Sequence, residues 1–228
     1  TYIYNLYQDS NEDIWVCMWD NGLYRISRNG KITHYQREAG SVNCIADNSV
    51  RNVCEDDQGN LWIGTERGLD KLDKKTGVFT HFTTTDAPGS LSDSSIFSIL
   101  KDHQGTFWIG TYFGGVNYYI FGSDQFQIYP YGASFNHLSG KAVRQIINAP
   151  DNGLYIATED GGLNYLNNKK EITRAERLHK QMQIYAKNIH SLWLDKDNSL
   201  WLGLFLKGAL HYIPHLNRTV CLLYTSDA

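Results

Sequence analysis

Carboxylates stand side by side in this chain at Glu55-Asp56-Asp57 and at Glu159-Asp160. Two carboxylates flanking a bond are what acid–base cleavage of a glycosidic linkage requires. Neighbouring side chains on a strand point to opposite faces, however, so adjacency alone does not make a catalytic couple. His211 and His215, four apart, would suit zinc on a helix, but Pro214 and the strand-like surroundings remove that helix. The Asp-x-x-Gly phrases Asp56 to Gly59 and Asp102 to Gly105, with a looser copy from Asp195 to Asn198, resemble calcium loops. They are too short, lack the bidentate Glu of such a loop, and run straight into apolar residues, so we take them as hairpin turns. No Gly-rich phosphate loop, nucleophile elbow or His-Glu-x-x-His phrase occurs. We therefore expect no catalytic residue, no metal and no cofactor.

The elements that carry these residues recur on a clock. Trp15, Trp62, Trp108, Tyr155 and Trp201 are separated by 47, 46, 47 and 46 residues. Each sits in one short phrase, as in Asn60-Leu61-Trp62-Ile63-Gly64-Thr65, Thr106-Phe107-Trp108-Ile109-Gly110-Thr111 and Gly153-Leu154-Tyr155-Ile156-Ala157-Thr158. The copies at Asp13-Ile14-Trp15-Val16-Cys17 and Ser199-Leu200-Trp201-Leu202-Gly203 are looser, and Leu204 stands where the others place Thr. A fixed period of this length marks a repeat architecture.

Within a repeat the apolar residues alternate or form short runs between turn residues, which is a strand period. Four strands fit each copy; in the second they are 50–55, 61–65, 68–72 and 78–82. One such sheet cannot bury both faces, so copies must stack, and twisted antiparallel sheets of this size favour a ring. The expected fold is all-β, a β-propeller fragment of about five four-stranded blades of 46–47 residues. The recurring Trp then fills the space between blades, and Gly64, Gly110, Ala157, Gly203 and Cys17 stay small where the next sheet comes close.

The formal net charge is −3, with Lys and Arg scattered singly, so there is no basic stripe and no nucleic-acid partner is expected. Twenty Gly against four Pro suits many hairpins and argues against Pro-rich disorder. No apolar run approaches the length needed to span a bilayer. Cys17, Cys44 and Cys54 have irregular spacing, and buried free thiols are preferred over a disulfide framework.

The run from Gly59 through Trp62, Gly64-Thr65, Gly68-Leu69-Asp70 and Phe79-Thr80-His81-Phe82, with Ser90-Leu91-Ser92-Asp93-Ser94-Ser95-Ile96, resembles the two-component regulator propeller repeat. The resemblance recurs in all five copies. It implies hybrid two-component sensors of Bacteroides-like bacteria, in which paired propellers of about seven blades each precede a β-sandwich, a membrane helix and a histidine kinase. It further implies a periplasmic ectodomain that recognises oligosaccharides, docks a second propeller and the downstream domains of its own chain, and works as a homodimer. Residues 1–220 are expected to form a partial propeller whose first and last repeats are incomplete, and 221–228 a non-native, adapter-derived tail.

In such a blade the loop after the second strand and the loop entering the first emerge on one face. The positions after each Gly-Thr change from copy to copy while the framework is kept: Trp19-Asp20, Glu66-Arg67, Tyr112-Phe113, Glu159-Asp160, and Phe205 with Lys207. Variation carried on a rigid scaffold is where specificity resides. Aromatic faces with fixed donors and acceptors suit a sugar, and Arg67, Lys207, Arg51, Lys141, Arg144 and Lys187 are candidates to receive a carboxylate or sulfate on an acidic one. A second cluster, Tyr129-Pro130-Tyr131-Gly132 with Phe135-Asn136-His137, would stack on a ligand or dock a second propeller. Two rivals remain: the same loops gripping a protein partner, and a propeller glycosidase or lyase using Glu159 and Asp160.

Overall fold

The computed structural model describes residues 2–122, 125–174 and 186–222. Five four-stranded antiparallel sheets follow one another along the chain. The first contains β1 (Ile3–Gln8), β2 (Ile14–Met18), β3 (Leu23–Ile26) and β4 (Ile32–Tyr35); the second β5 (Val50–Glu55), β6 (Leu61–Thr65), β7 (Gly68–Asp73) and β8 (Val78–Phe82). The third contains β9 (Ile96–Lys101), β10 (Phe107–Thr111), β11 (Val116–Ile120) and β12 (Gln125–Tyr129). The fourth contains β13 (Val143–Asn148), β14 (Leu154–Thr158), β15 (Gly162–Leu166) and β16 (Ile172–Arg174); the fifth β17 (Ile189–Leu194), β18 (Leu200–Leu204), β19 (Gly208–Ile213) and β20 (Arg218–Leu222). Strands in every sheet are ordered as in the chain, so each sheet is one blade made of three successive hairpins. The first and last repeats, expected to be incomplete, each carry all four strands. Cys221 and Leu222, assigned to the tail, end β20 opposite Leu210 and Ala209; the remaining tail lies outside the described residues.

The chain forms two compact units: Thr1–Tyr112 with Asn117–Ile128, and Phe113–Val116 with Tyr129–Ala228. In the first unit, Trp15, Cys17 and Leu23 of blade one pack with Val50, Val53, Leu61, Ile63 and Leu72 of blade two. Trp62 and Leu69 of blade two pack likewise with Ile96, Ile99, Phe107, Ile109, Tyr119 and Phe126 of blade three. Trp62 lies 5.2 Å from Phe107 and 4.9 Å from Tyr119, centroid to centroid, so the recurring Trp is a filler between blades. Truncating such a buried ring costs about 3–5 kcal/mol. The small residue two positions on is required by the same approach: a Cβ on Gly64 would meet Ile96 Cγ2 at 2.8 Å. In the second unit Ala157 and Leu163 pack against Ile189, Leu192, Leu200, Leu202 and Leu210.

The Asp-x-x-Gly turns are hairpin turns with a second duty. Asp56 Oδ1 accepts from the backbone N–H of Gln58 at 3.0 Å and of Asn60 at 2.8 Å, and Gly59 closes the turn at φ +81°. Asp56 Oδ2 accepts from the indole Nε1 of Trp62 at 3.0 Å. Asp9 holds Trp15 at 2.9 Å and Asp102 holds Trp108 at 2.7 Å in the same way. The six-residue step from Asp to Trp is thus one device: the turn carboxylate satisfies the single polar atom of a buried indole. Lys74, itself buried, links blade two to blade one by pairing with Asp9 at 2.7 Å and with Glu55.

A second device fixes the loops entering blades two, three and four. Asp70, Asn117 and Asn164 occupy one register on the third strands and are buried. They accept from the backbone N–H of Ala46 at 2.7 Å, Ser92 at 3.0 Å and Ser139 at 2.8 Å. Cys17, Cys44, Cys54 and Cys221 are free thiols, and burial raises Cys17 to about 12.

Candidate functional site

Every first strand is irregular at one place. The pairing of β1 with β2 shifts register between Ile3 and Asn5, and the same shift occurs between Val50 and Asn52, Val143 and Gln145, and Ile189 and Ser191. In blade three it falls where Ile96 pairs Thr111 and Ser98 pairs Gly110. The extra residue of a bulge leaves the ladder and its side chain is re-aimed. Those residues are Tyr4, Arg51, Phe97, Arg144 and His190, spaced by the same 47, 46, 47 and 46 as the Trp series.

Each bulged residue meets the variable position after the second strand of its own blade. The backbone N–H groups of Trp19, Glu66, Tyr112, Glu159 and Phe205 donate to the carbonyls of Tyr2, Ser49, Ser95, Ala142 and Asn188 at 2.9 to 3.2 Å. These bonds hold the post-strand loop and the entering loop together on one face. The side chains then pair by kind. Tyr4 and Trp19 meet edge to face at 5.7 Å, Phe97 and Tyr112 stack at 4.9 Å, and His190 and Phe205 stack at 4.9 Å. Between them in chain order come two ion pairs, Arg51 with Glu66 and Arg144 with Glu159.

In the first unit these pairs interlock. The Arg51 guanidinium lies 4.5 Å from the Tyr4 ring, 5.5 Å from Trp19 and 3.9 Å from Phe97, and the hydroxyl of Ser95 donates to Glu66. Cation–π contact on several rings with a carboxylate at the end leaves the cation little rotational freedom. Trp19 and Tyr4 nevertheless keep 40% and 41% of their surface exposed. Of the other first-unit candidates, Arg67 pairs instead with Asp47 at 3.1 Å, and Asp20 is an exposed turn residue at φ +53°.

In the second unit, Glu159 sits between Arg144 and the imidazole Nε2 of His190 at 3.8 Å. Desolvation, and then the neighbouring Arg144 charge, hold His190 below its ordinary value, so it is neutral at neutral pH. Phe205 stacks on that imidazole and is itself half exposed. Lys141 lies 5.1 Å over the exposed ring of Phe113. Asp160 accepts from the backbone N–H of Lys141 and of Ala142, both at 3.1 Å, and so shapes the entering loop. Lys207 and Lys187 are exposed. In the 129–137 cluster, Arg174 donates to the carbonyls of Ser134 and His137, both at 3.1 Å, while Tyr131 and Phe135 stay exposed.

Arg51 and Arg144, suggested as receivers of an acidic group, are therefore members of ion pairs. Tyr4, Phe97, His190 and Ser95 were missed. The first three carry a signal available beforehand, since they occupy the repeat register of Arg51 and Arg144. Among the described residues no group of His, Cys, Asp and Glu converges to hold a metal, and no helix is long and apolar enough to cross a membrane.

The segments 44–67 and 90–113 match the two-component regulator propeller family. The two matched segments lie in the second and third of the five repeats. Each matched segment runs from an entering loop, through the bulged strand and the Trp strand, to the variable pair Glu66-Arg67 or Tyr112-Phe113. No curated protein sequence is significantly similar to the chain. Among solved structures, the chain is similar to the extracellular domains of two hybrid two-component systems of B. thetaiotaomicron. For BT3049 the TM-score is 0.79 at 21% identity, over 99% of this chain and 29% of that one; for BT4673 it is 0.77 at 24% identity, over 99% and 31%. The chain thus spans less than a third of each. It is also similar to virginiamycin B lyase from Staphylococcus aureus, with a TM-score of 0.70 at 16% identity, over 99% of this chain and 71% of that one. The fold of the repeats is that of β-propeller blades.

Proposed function

We propose that this chain is the propeller part of the extracellular, periplasmic region of a hybrid two-component system, and that it binds an oligosaccharide and relays its presence to a histidine kinase elsewhere in the same protein. The family match and the two B. thetaiotaomicron structures support the coarse reading. The observation that carries the ligand reading is the pairing of bulge and variable positions. In the first unit that register supplies half-exposed aromatic faces at Tyr4 and Trp19 and fixed polar groups at Arg51 and Glu66. A sugar ring lays its C–H face on an aromatic and gives its hydroxyls to such donors and acceptors.

Because both arginines are paired with carboxylates, the ligand is neutral rather than sulfated or uronic. The part of Glu159 in an ion pair and of Asp160 in shaping a loop supports binding without bond cleavage. Binding at these loops would shift the arrangement of a second propeller and of two sensor subunits, the homodimer being the form in which a kinase reads it.

The test is calorimetric titration of the folded chain with a panel of neutral and acidic oligosaccharides, repeated for Trp19→Ala with Tyr112→Ala. Binding of a neutral member, weakened at least about tenfold in the variant with unchanged thermal unfolding, supports the reading. Binding that survives the substitutions, or is confined to acidic members, overturns it.

A further inference from the structure

Blade four breaks the Asp–Trp device at both ends. The turn carboxylates Asp9, Asp56 and Asp102 stand six residues before Trp15, Trp62 and Trp108, whereas the same two positions in blade four are Ala149 and Tyr155. Ala149 is the counterpart of those aspartates by its backbone: its N–H donates to Gly153 O at 2.9 Å, as that of Asp56 donates to Asn60 O at 2.9 Å. A phenol is smaller than an indole and cannot present its polar atom to the same turn, so partner and ring are lost together.

A cavity of about 310 Å³ opens there, within the second unit, between blades four and five. Tyr155, Tyr165 and Tyr212 line it, with Pro150 and Pro214, and its polar edge is formed by Asp151 and Asn198. Tyr155 and Tyr165 are 5.4 Å apart, centroid to centroid. The Tyr165 hydroxyl donates to the Asp151 carboxylate, which also accepts from Gly153 N–H at 3.3 Å. The volume suits a small molecule. Asp151 is the one formally charged side chain in this lining, so the site repels anions. Three phenol rings, with two prolines, make up most of its wall, and the faces of such rings attract cations.

We propose that this cavity is a binding site for a small organic cation of the methylated ammonium class. The methyl groups lie against Tyr155, Tyr165 and Tyr212, and the positive charge is balanced by Asp151. A monosaccharide would find too few fixed donors here, and an uncharged apolar ligand would leave the carboxylate unused. The site is separate from the variable positions after each second strand and does not depend on the oligosaccharide reading.

The test is calorimetric titration of the whole chain with choline and tetramethylammonium, beside the uncharged isostere 3,3-dimethylbutanol. The expected result is weak saturable binding of both cations, none of the isostere, and a loss of about tenfold or more in Asp151→Asn and in Tyr212→Ala. The double variant Ala149→Asp with Tyr155→Trp restores the device and fills the cavity; it should abolish binding while raising the midpoint of thermal unfolding, so that lost binding is not lost fold. Equal binding of the isostere, or cation binding that persists in the double variant, overturns the proposal. Cosedimentation with phosphatidylcholine vesicles distinguishes a lipid headgroup from a free solute: vesicle binding without binding of free choline overturns it as well.

Discussion

The guanidinium of Arg51 lies 3.9 Å from the ring centroid of Phe97 in the next blade and is held there by the carboxylate of Glu66 in its own. The pair is largely removed from water, with 14% of the Arg51 side chain and 28% of the Glu66 side chain exposed, so deleting one partner strands the other.

Arg51→Met and Glu66→Met should each cost about 1–3 kcal/mol of unfolding free energy, and the double variant clearly less than their sum. Urea denaturation of the four proteins gives the coupling directly. A coupling near zero would mean that the ion pair is solvated and does not organise the aromatic rings around it.

The bond from Trp62 Nε1 to Asp56 Oδ2 predicts a second asymmetry. Asp56→Ala leaves the buried indole N–H unpaired and frees the amides of Gln58 and Asn60 from the turn carboxylate. It should destabilise by about 2–4 kcal/mol. Asp56→Asn keeps one acceptor oxygen, enough for the turn amides but not for the indole as well, and should cost less than Asp56→Ala. The midpoint of chemical denaturation separates the two, and equal losses would show that the turn amides contribute nothing and the indole bond carries the effect.

Much of this was legible in the residues alone. The Trp clock and the Gly-Thr phrases gave the blades, because packing between identical sheets forces identical residues at identical steps. The Asp-x-x-Gly spacing marks the turn aspartates as hairpin residues, but their bond to the indole is not visible there, since nothing in a single turn points six residues ahead. The bulged residues Tyr4, Phe97 and His190 escaped for a different reason. A bulge is set by the register of two strands, so an ordinary-looking alternation hides the residue that turns out of it. Asp160 and Arg67 looked like ligand groups because exposed loop charges cannot be told from loop-shaping ones without their partners.

His81 offers a prediction in pH. Its Nδ1 meets the buried carboxylate of Asp70 at 2.7 Å and its Nε2 the carbonyl of Val42 at 2.8 Å. The Asp70 hydrogen bond raises its pKa from the ordinary 6.5 to about 9. A raised folded-state value stabilises fully below the unfolded value, and that contribution fades as pH rises through the folded one. Stability should therefore fall between about pH 6.5 and 9, by on the order of 1–2 kcal/mol once partial exposure is allowed for. Proton-resolved titration of His81 should show a midpoint near 9, and His81→Asn should flatten the decline. A midpoint at the ordinary value would remove the ion pair from the account.

The last repeat predicts a gain. In blades two and four the hydroxyls of Thr65 and Thr158 donate to the carbonyls of Gly68 and Gly162 at 2.9 and 2.8 Å, closing the turn between second and third strands. Leu204 stands at that register in blade five and has no hydroxyl to offer. Two residues on, Leu206 is held at φ +54° with 84% of its surface exposed. A branched side chain in the left-handed region costs about 1–2 kcal/mol, and here no burial offsets it. Leu206→Gly should raise the unfolding free energy by about 1 kcal/mol and the thermal midpoint by a few degrees. Loss of stability in that variant would mean that the exposed leucine is covered in the folded protein and that the turn is part of an interface.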